Sequence, residues 1–311
     1  MMNSPKVLVT GANGLVGQAL QKEIVCPEGW VFLSSKDGDL TKEDVVQGLF
    51  EKHQPDIVIH LAANVGGLFK NMNEKAIMYE DNLLMNTFVL KYARLYNVKK
   101  VISMLSTCIF PDGYEPLTEE VLHVGPPHPS NEGYAYAKRM LDIHSRILNH
   151  EGIESVCLIP TNIYGPHDNF NLRDAHVMPA LIHRCYLAKQ AEEPFVVKGS
   201  GKPIRQFIHS QDLAKMIVWA VHHTQGIAGN YICSPSSESE VTIEWVARAV
   251  ARSMDYEHAL TFDSSFADGQ YKKTVQPHSV FHEFKFTPLE KGIKETVQWF
   301  LNAYAKGLAR V

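Results

Sequence analysis

"KVLVTGANGLVG" occupies residues 6–17, and its reading decides the fold. A short β-branched run ends in glycine. A helical pattern follows, with Leu15, Val16, Ala19, Leu20 and Val25 apolar. Gly11, Gly14 and Gly17 stand in a GxxGxxG spacing. Glycine lets backbone approach a pyrophosphate, and a helix N-terminus supplies N–H donors and the positive end of a dipole. A glycine triplet alone marks an ordinary tight turn. Between a strand and a helix near the N-terminus it points to a dinucleotide site.

Outward from this loop the chain alternates. "WVFLSS" (30–35) reads as a second strand, residues 43–52 as a helix, and "DIVIHLAA" (56–63) as an almost wholly apolar strand. Such continuous runs suit a sheet covered on both faces. Helix 79–97 with strand "KVISMLS" (100–106), then helix 134–150 with strand "SVCLIPTN" (155–162), repeat the unit. The expected fold class is α/β, a doubly wound parallel sheet of Rossmann type. After residue 163 the rhythm weakens and prolines 166, 179, 194 and 203 punctuate it. "DLAKMIVWAVHH" (212–223) reads as a helix, "GNYICS" (229–234) as a strand, and residues near 242–254 and 289–305 as helices. No repeat or low-complexity segment stands out. The expected division is a nucleotide-binding domain from residues 1–164 plus about 205–234. A smaller, interleaved substrate domain takes about 165–204 plus 235–311.

Composition narrows the class. A content of 45% hydrophobic and 21% charged residues is that of a globular chain, not a disordered one. Net charge is −4, so a nucleic-acid footprint is not expected. The N-terminus lacks a basic n-region and a long apolar h-region, and no apolar run approaches the roughly 20 residues that span a bilayer. The five cysteines, at 26, 108, 157, 185 and 233, are scattered without CxxC pairing. They read as reduced thiols in a cytoplasm, with neither a disulfide frame nor a metal site.

Cofactor choice lies at the end of the second strand. An NAD site usually places an acidic residue there, on the ribose 2′-OH. Here the residues are Ser34, Ser35 and Lys36. Hydroxyls and a cation suit a 2′-phosphate, so NADPH is expected, although Asp37 and Asp39 follow closely.

"EGYAYAKR" (132–139) carries two tyrosines ahead of a lysine. Tyr134 and Lys138 are four apart and share a helix face; Tyr136 points elsewhere. A neighbouring ammonium is expected to lower the phenol from its ordinary value of about 10. The pair then exchanges a proton with a carbonyl oxygen while hydride moves at the carbon. Ser106, in "LSTC", stands at the C-terminal end of a parallel strand, where ligands of such sheets bind.

GxxGxxG, a strand-end serine and YxxxK in this order resemble the extended short-chain dehydrogenase/reductase family over nearly the whole chain. Four stretches narrow the resemblance: "VGGLFKN" (65–71), "STCIFP" (106–111), "PTNIYGPHDNF" (160–170) and "HVMPALIHR" (176–184). They are similar to those of its NADPH-dependent epimerase-reductases acting on GDP-4-keto-6-deoxy-D-mannose. The resemblance implies a C4 ketone that acidifies the protons at C3 and C5, inversion of both centres, and hydride transfer to C4. It makes Cys108 and His176 the epimerisation pair, with base and acid unassigned between them. Ser106 and Tyr134 would serve the oxygen at C4. Expected cofactor contacts are Gly11, Asn13, Gly14, Leu15, Val16 and Gly17, then Lys36, Asp39 and Leu40. Leu61, Ala62 and Ala63, Tyr134 and Lys138, and Pro160, Asn162, Ile163 and His176 complete the set.

By the same resemblance, Arg184 and Arg205 meet the nucleotide-sugar phosphates, a task suited to bidentate, always-charged guanidinium. Asp268 would contact the guanosine part. The family usually carries tryptophan before the Gly-Ser/Thr-Gly turn; this chain has Lys198 in "VVKGSGKP", which puts stacking there in doubt. Lysine could instead contact the substrate by charge or hydrogen bonds. A homodimer is expected from the apolar breadth of helices 79–97 (Leu83, Leu84, Phe88, Tyr92, Leu95) and 134–150 (Met140, Leu141, Ile147, Leu148). Paired helices of this kind form a four-helix bundle between subunits in the family. Competing readings are a 4,6-dehydratase, which normally follows its Ser/Thr with acids where this chain has Thr107 and Cys108, and a 4-epimerase with tightly held NAD. Another nucleotide-sugar epimerase or reductase, or a non-catalytic NADPH sensor, completes the alternatives.

Overall fold

The computed structural model describes residues 5–223, 226–266, 268 and 270–311. β1 (Val7–Thr10) runs into α1 (Leu15–Glu23), followed by β2 (Trp30–Phe32), α2 (Glu43–His53) and β3 (Ile57–His60). Then come α3 (Leu68–Asn73), α4 (Lys75–Leu95), β4 (Lys100–Met104), α5 (Glu132–His150) and β5 (Glu154–Pro160). The later chain adds β6 (Asn162–Tyr164), α6 (Val177–Ala191), β7 (Phe195–Lys198), β8 (Ile204–Arg205), β9 (Phe207–His209), α7 (Ser210–His222) and β10 (Gly229–Cys233). β11 (Val241–Thr242), α8 (Ile243–Ser253), β12 (Leu260–Asp263), β13 (Lys272–Lys273) and α9 (Leu289–Ala305) close it.

The main sheet has the order β10-β5-β4-β3-β1-β2, and every pair in it is parallel. Side chains alternate across a strand, and both faces are covered. Val7, Val9, Ile57, Ile59, Ile102 and Met104 pack toward α1 and α7. Leu8, Val58 and Val101 pack toward α2, α4 and α5 through Phe50, Val89, Leu90, Leu141 and Leu148. The doubly wound reading therefore stands. Its strand order reverses between β1 and β3, and the carboxyl ends at that switch form the crevice where such sheets bind ligands.

A second core lies beyond it. Tyr164, Phe170, Ile182, Phe195, Val250 and Phe300 are buried together, drawn from β6 and the segment after it, α6, β7, α8 and α9. Val275, Phe281, Phe284 and Phe286 pack instead on the sheet cores, within the stretch that the sequence division gives to the substrate domain.

Local details correct the sequence expectations. α1 stops at Glu23, so Val25 lies beyond its apolar face and is 91% exposed. The run 155–162 is two strands. β5 ends at Pro160, and Asn162–Tyr164 leaves the sheet to pair with β9. α4 begins four residues earlier than expected and α5 two. Pro179 is tolerated in the first turn of α6, where a helix lacks N–H partners anyway.

Candidate active site

The glycine loop is dictated by contact. Gly11 has φ +72° and a Cβ there would lie 2.7 Å from the Ala62 nitrogen, so β1 and β3 meet edge to edge. A Cβ on Gly17 would lie 2.5 Å from the carbonyl oxygens of Gly11 and Ala12. Gly14 caps α1 without any side-chain hydrogen bond, leaving the helix N–H groups for an anion. Behind the loop, buried His60 bridges Thr10 Oγ1 (2.9 Å) and Asn86 Oδ1 (3.0 Å), and the Ala62 N–H donates to Thr10 Oγ1 (3.1 Å). Burial, then the Lys138 charge, push His60 down to about 3, so it is a neutral strut.

At the end of β2, the N–H and hydroxyl of Ser34 donate to Asp37 Oδ2 at 2.8 and 3.0 Å. Asp39 Oδ1 accepts from the N–H and hydroxyl of Thr41. Both acids are thus engaged within their own loop, while Lys36 is exposed beside them.

Lys138 is 2% exposed, donates to the Met104 carbonyl at 2.8 Å and lies 5.7 Å from the centre of the Tyr134 ring. The helix face expected from the spacing is formed. Tyr136 turns the other way: the Arg139 guanidinium lies 5.6 Å from its ring, and it lines a surface groove with Lys75, Tyr79 and Met140. The expected electrostatics of Tyr134 need correction. Burial, with the Cys108 charge next, pushes the phenol above its ordinary value. Lys138 itself is brought down to about 8 by burial. Tyr134 is therefore a proton donor at neutral pH.

Ser106 caps a short 3₁₀ turn, Thr107–Ile109, and accepts from the Cys108 N–H at 3.3 Å. The turn brings Cys108 back over the end of β4. There Lys273 Nζ donates to Cys108 Sγ at 3.1 Å. Burial opposes the thiolate, but the Lys273 charge, hydrogen bonds from Ser106 and Lys273, and Arg205 together hold the thiol below its ordinary value. His176 caps α6. Its imidazole keeps accessible surface, yet the protein around it and the Lys273 charge disfavour the protonated form. Lys273 therefore bears on both Cys108 and His176, Cys108 on Ser106, Arg205 and Tyr134, and Tyr134 on Lys138.

The outer residues are placed differently. Arg205 donates from Nη1 to the Ile204 carbonyl and from Nη2 to the Gln270 carbonyl, each at 2.7 Å, so its guanidinium ties β8 to the segment before β13. Arg184 is half-buried on α6. Both oxygens of Asp268 accept from Ser200, joining its loop to the Gly199–Gly201 turn. Lys198 Nζ lies 4.6 Å from the centre of the Phe266 ring, so an aromatic face is present next to the lysine that stands in for tryptophan. Asn162 Nδ2 donates to the Gln206 carbonyl at 2.8 Å, which fixes the strand switch after Pro160.

A model described as the NAD dependent epimerase/dehydratase family matches residues 7–233. The chain belongs to this family. Among its relatives, the GDP-L-fucose synthase of Dictyostelium discoideum is 47% identical over 307 residues, covering 96% of each chain. A probable GDP-L-fucose synthase of Drosophila melanogaster is 44% identical, covering 96% of this chain and 98% of its own. The crystal structure of a GDP-L-fucose synthetase from Naegleria fowleri bound to NADP superposes with a TM-score of 0.92 at 46% identity. It covers all of this chain and 96% of that one.

Within this epimerase/dehydratase site, sequence reading missed Lys273, the His60–Asn86 strut and Gln206. Gln206 Oε1 accepts from the Val275 N–H at 2.8 Å, and its amide reaches the carbonyls of Val275 and Pro235. Nothing in "YKKT" separates Lys272 from Lys273 until the segment is known to be a strand. Alternation then sends one lysine inward.

Proposed function

We propose that the chain is a GDP-L-fucose synthase. It inverts C3 and C5 of GDP-4-keto-6-deoxy-D-mannose and reduces C4 with NADPH, giving GDP-L-fucose. The observation that carries this reading is that the Cys108 thiol, beside Ser106 at the end of β4, accepts a hydrogen bond from the Lys273 ammonium at 3.1 Å. A reductase alone needs the tyrosine and lysine; a thiol in the same cleft is surplus unless carbon acids are also deprotonated. The relatives above support the reading by their names.

The glycine cradle, the uncapped α1 terminus and exposed Lys36 fit NADP as the cofactor. NADPH, when bound, supplies the hydride for C4. Cys108 and His176 move protons at C3 and C5. Ser106 and Tyr134 hold the oxygen at C4 as charge develops there, and Tyr134 delivers its proton. Resting His176 is neutral near pH 7, so any proton it gives is one gained during the cycle. Arg184 and Arg205 are proposed for the diphosphate, Lys198 and Asp268 for the guanosine end. The loop contacts of Asp268 mean that it would act there as a lever on the turn as much as a ligand. A homodimer in a reducing cytoplasm fits the five free cysteines and the apolar outer faces of α4 and α5.

The test is NADPH oxidation with GDP-4-keto-6-deoxy-D-mannose, with GDP-mannose as control, and the product identified by NMR. GDP-L-fucose from the first and no turnover of the second are expected. An unepimerised 4-alcohol as the sole product from the wild type would reduce the chain to a simple reductase. Lys36→Glu should weaken NADPH far more than NADH, because an anion would face the 2′-phosphate. Equal weakening of both would remove Lys36 from that phosphate.

A further inference from the structure

Two adjacent lysines in β13 keep different company. Lys272 Nζ faces Glu115 at 3.7 Å and Glu240 at 3.8 Å, as a part-exposed surface cation does. Lys273 faces the opposite side of the strand, where its Nζ donates to Cys108 Sγ. β13 cannot drift. It pairs with β8 in the register Lys273↔Arg205. The Ile204 N–H donates to the Tyr271 carbonyl at 2.8 Å, Arg205 holds the Gln270 carbonyl, and buried Gln206 holds Val275 on the far side. Lys273 is pinned at both flanks with its ammonium against one sulfur.

Building on the function proposed above, we propose that Lys273 is a positioning residue for the epimerisation. Its ammonium pairs with the Cys108 sulfur and makes the thiolate the species that takes a proton from the sugar. The balance is simple. The thiolate gains the proton of a C–H beside the ketone, the C–H electron pair becomes the enolate π-bond, and the charge passes to the oxygen at C4. Lys273 keeps its own proton throughout. A proton taken up from solvent by His176 and delivered to the opposite face of the enolate carbon restores the ketone with the centre inverted, and the Cys108 thiol returns its proton to solvent. The groups facing the sulfur are Lys273 from β13, Arg205 from β8, Tyr134 from α5 and Ser106 from its own turn, with His176 beside Lys273. Among these, Lys273 is the cation in hydrogen-bond contact with the sulfur, since Arg205 donates to backbone carbonyls.

The experiment measures Cys108 without any substrate. Iodoacetamide alkylation is followed across pH and read at the Cys108 peptide by mass spectrometry, so that exposed Cys26 does not interfere. The wild-type midpoint is expected below the roughly 8.5 of a free cysteine. In Lys273→Met it should rise by about one unit or more, with at least a tenfold slower reaction at pH 7. Lys273→Arg should restore most of the shift. NADPH binding checks folding, and Lys273→Gln replaces the Met variant should that variant fail to bind it. Solvent-deuterium exchange into GDP-4-keto-6-deoxy-D-mannose should fall in parallel. An unmoved alkylation midpoint in the uncharged variant overturns the role of Lys273, as does a raised KM with normal alkylation, which would make it a phosphate ligand. A shifted midpoint in a wild type that exchanges no deuterium overturns the epimerase reading and leaves the Lys273–Cys108 pair standing.

Discussion

Tyr134 and Tyr136 differ by two positions and by everything that matters to a proton. Tyr134 lies beside the Lys138 ammonium, whereas Tyr136 lines a surface groove with its ring 5.6 Å from the buried Arg139 guanidinium. Tyr134→Phe should therefore lower the hydride step by about 10²–10⁴-fold, the usual worth of a positioned proton donor. Tyr136→Phe should leave most of it. Single-turnover NADPH oxidation makes the comparison, and a dead Tyr136 variant would contradict the assignment. The same pair sets a pH limit. Burial holds the Tyr134 phenol protonated well past neutrality, so it is not the first group to titrate. Lys138 is a cation below about 8 and neutral above it. The hydride step should fall as pH rises through about 8. A rate flat to pH 10 would show that the ammonium is not required.

The elements were legible in proportion to how fully they are buried. β1, β3, β4 and β5 are sandwiched between helices, so their sequences are predominantly apolar and β-branched. α5 announced itself because Tyr134 and Lys138 share its face. β6, β8 and β13 are two or three residues long, and such lengths carry no readable period. The switch at Thr161, from β5 to the β6–β9 ladder, is set by Asn162 meeting a residue 44 positions away. α4 and α5 lie against one another through Asn86, whose side chain donates to the Ala137 carbonyl. Each keeps one apolar face outward: Leu84 and Leu95 are 40% and 50% exposed, Met140 and Ile147 40% and 49%. Water does not favour that much apolar surface on paired helices, so a second copy is expected to cover it. Light scattering at micromolar concentration should give a dimer mass, and Ile147→Asp should shift it toward the monomer. A monomeric wild type would contradict this.

At the scale of the whole molecule, the site is an assembly of distant pieces. Ser106 and Cys108 follow β4, Tyr134 and Lys138 ride on α5, His176 precedes α6, and Arg205 and Lys273 arrive on β8 and β13. The Lys273–Cys108 contact joins residues 165 apart, which no local motif displays. The glycine loop and YxxxK were legible because each lies within a few consecutive residues; the charge pattern around the sulfur was not, because distant segments create it. Division of labour follows. On the function proposed above, proton traffic at C3 and C5 belongs to Cys108 and His176, and hydride traffic at C4 to Tyr134 and Lys138, so the two should be separable. The most direct measurement is mass spectrometry of GDP-4-keto-6-deoxy-D-mannose incubated in heavy water with NADP⁺, where hydride transfer cannot intervene. Wild-type protein should place deuterium at the sugar carbons. Cys108→Ala should bind NADPH yet nearly lose that exchange, and any reduction it retains should give an unepimerised 6-deoxyhexose. Wild-type exchange in Cys108→Ala would contradict the account and leave Cys108 a packing residue at the end of β4.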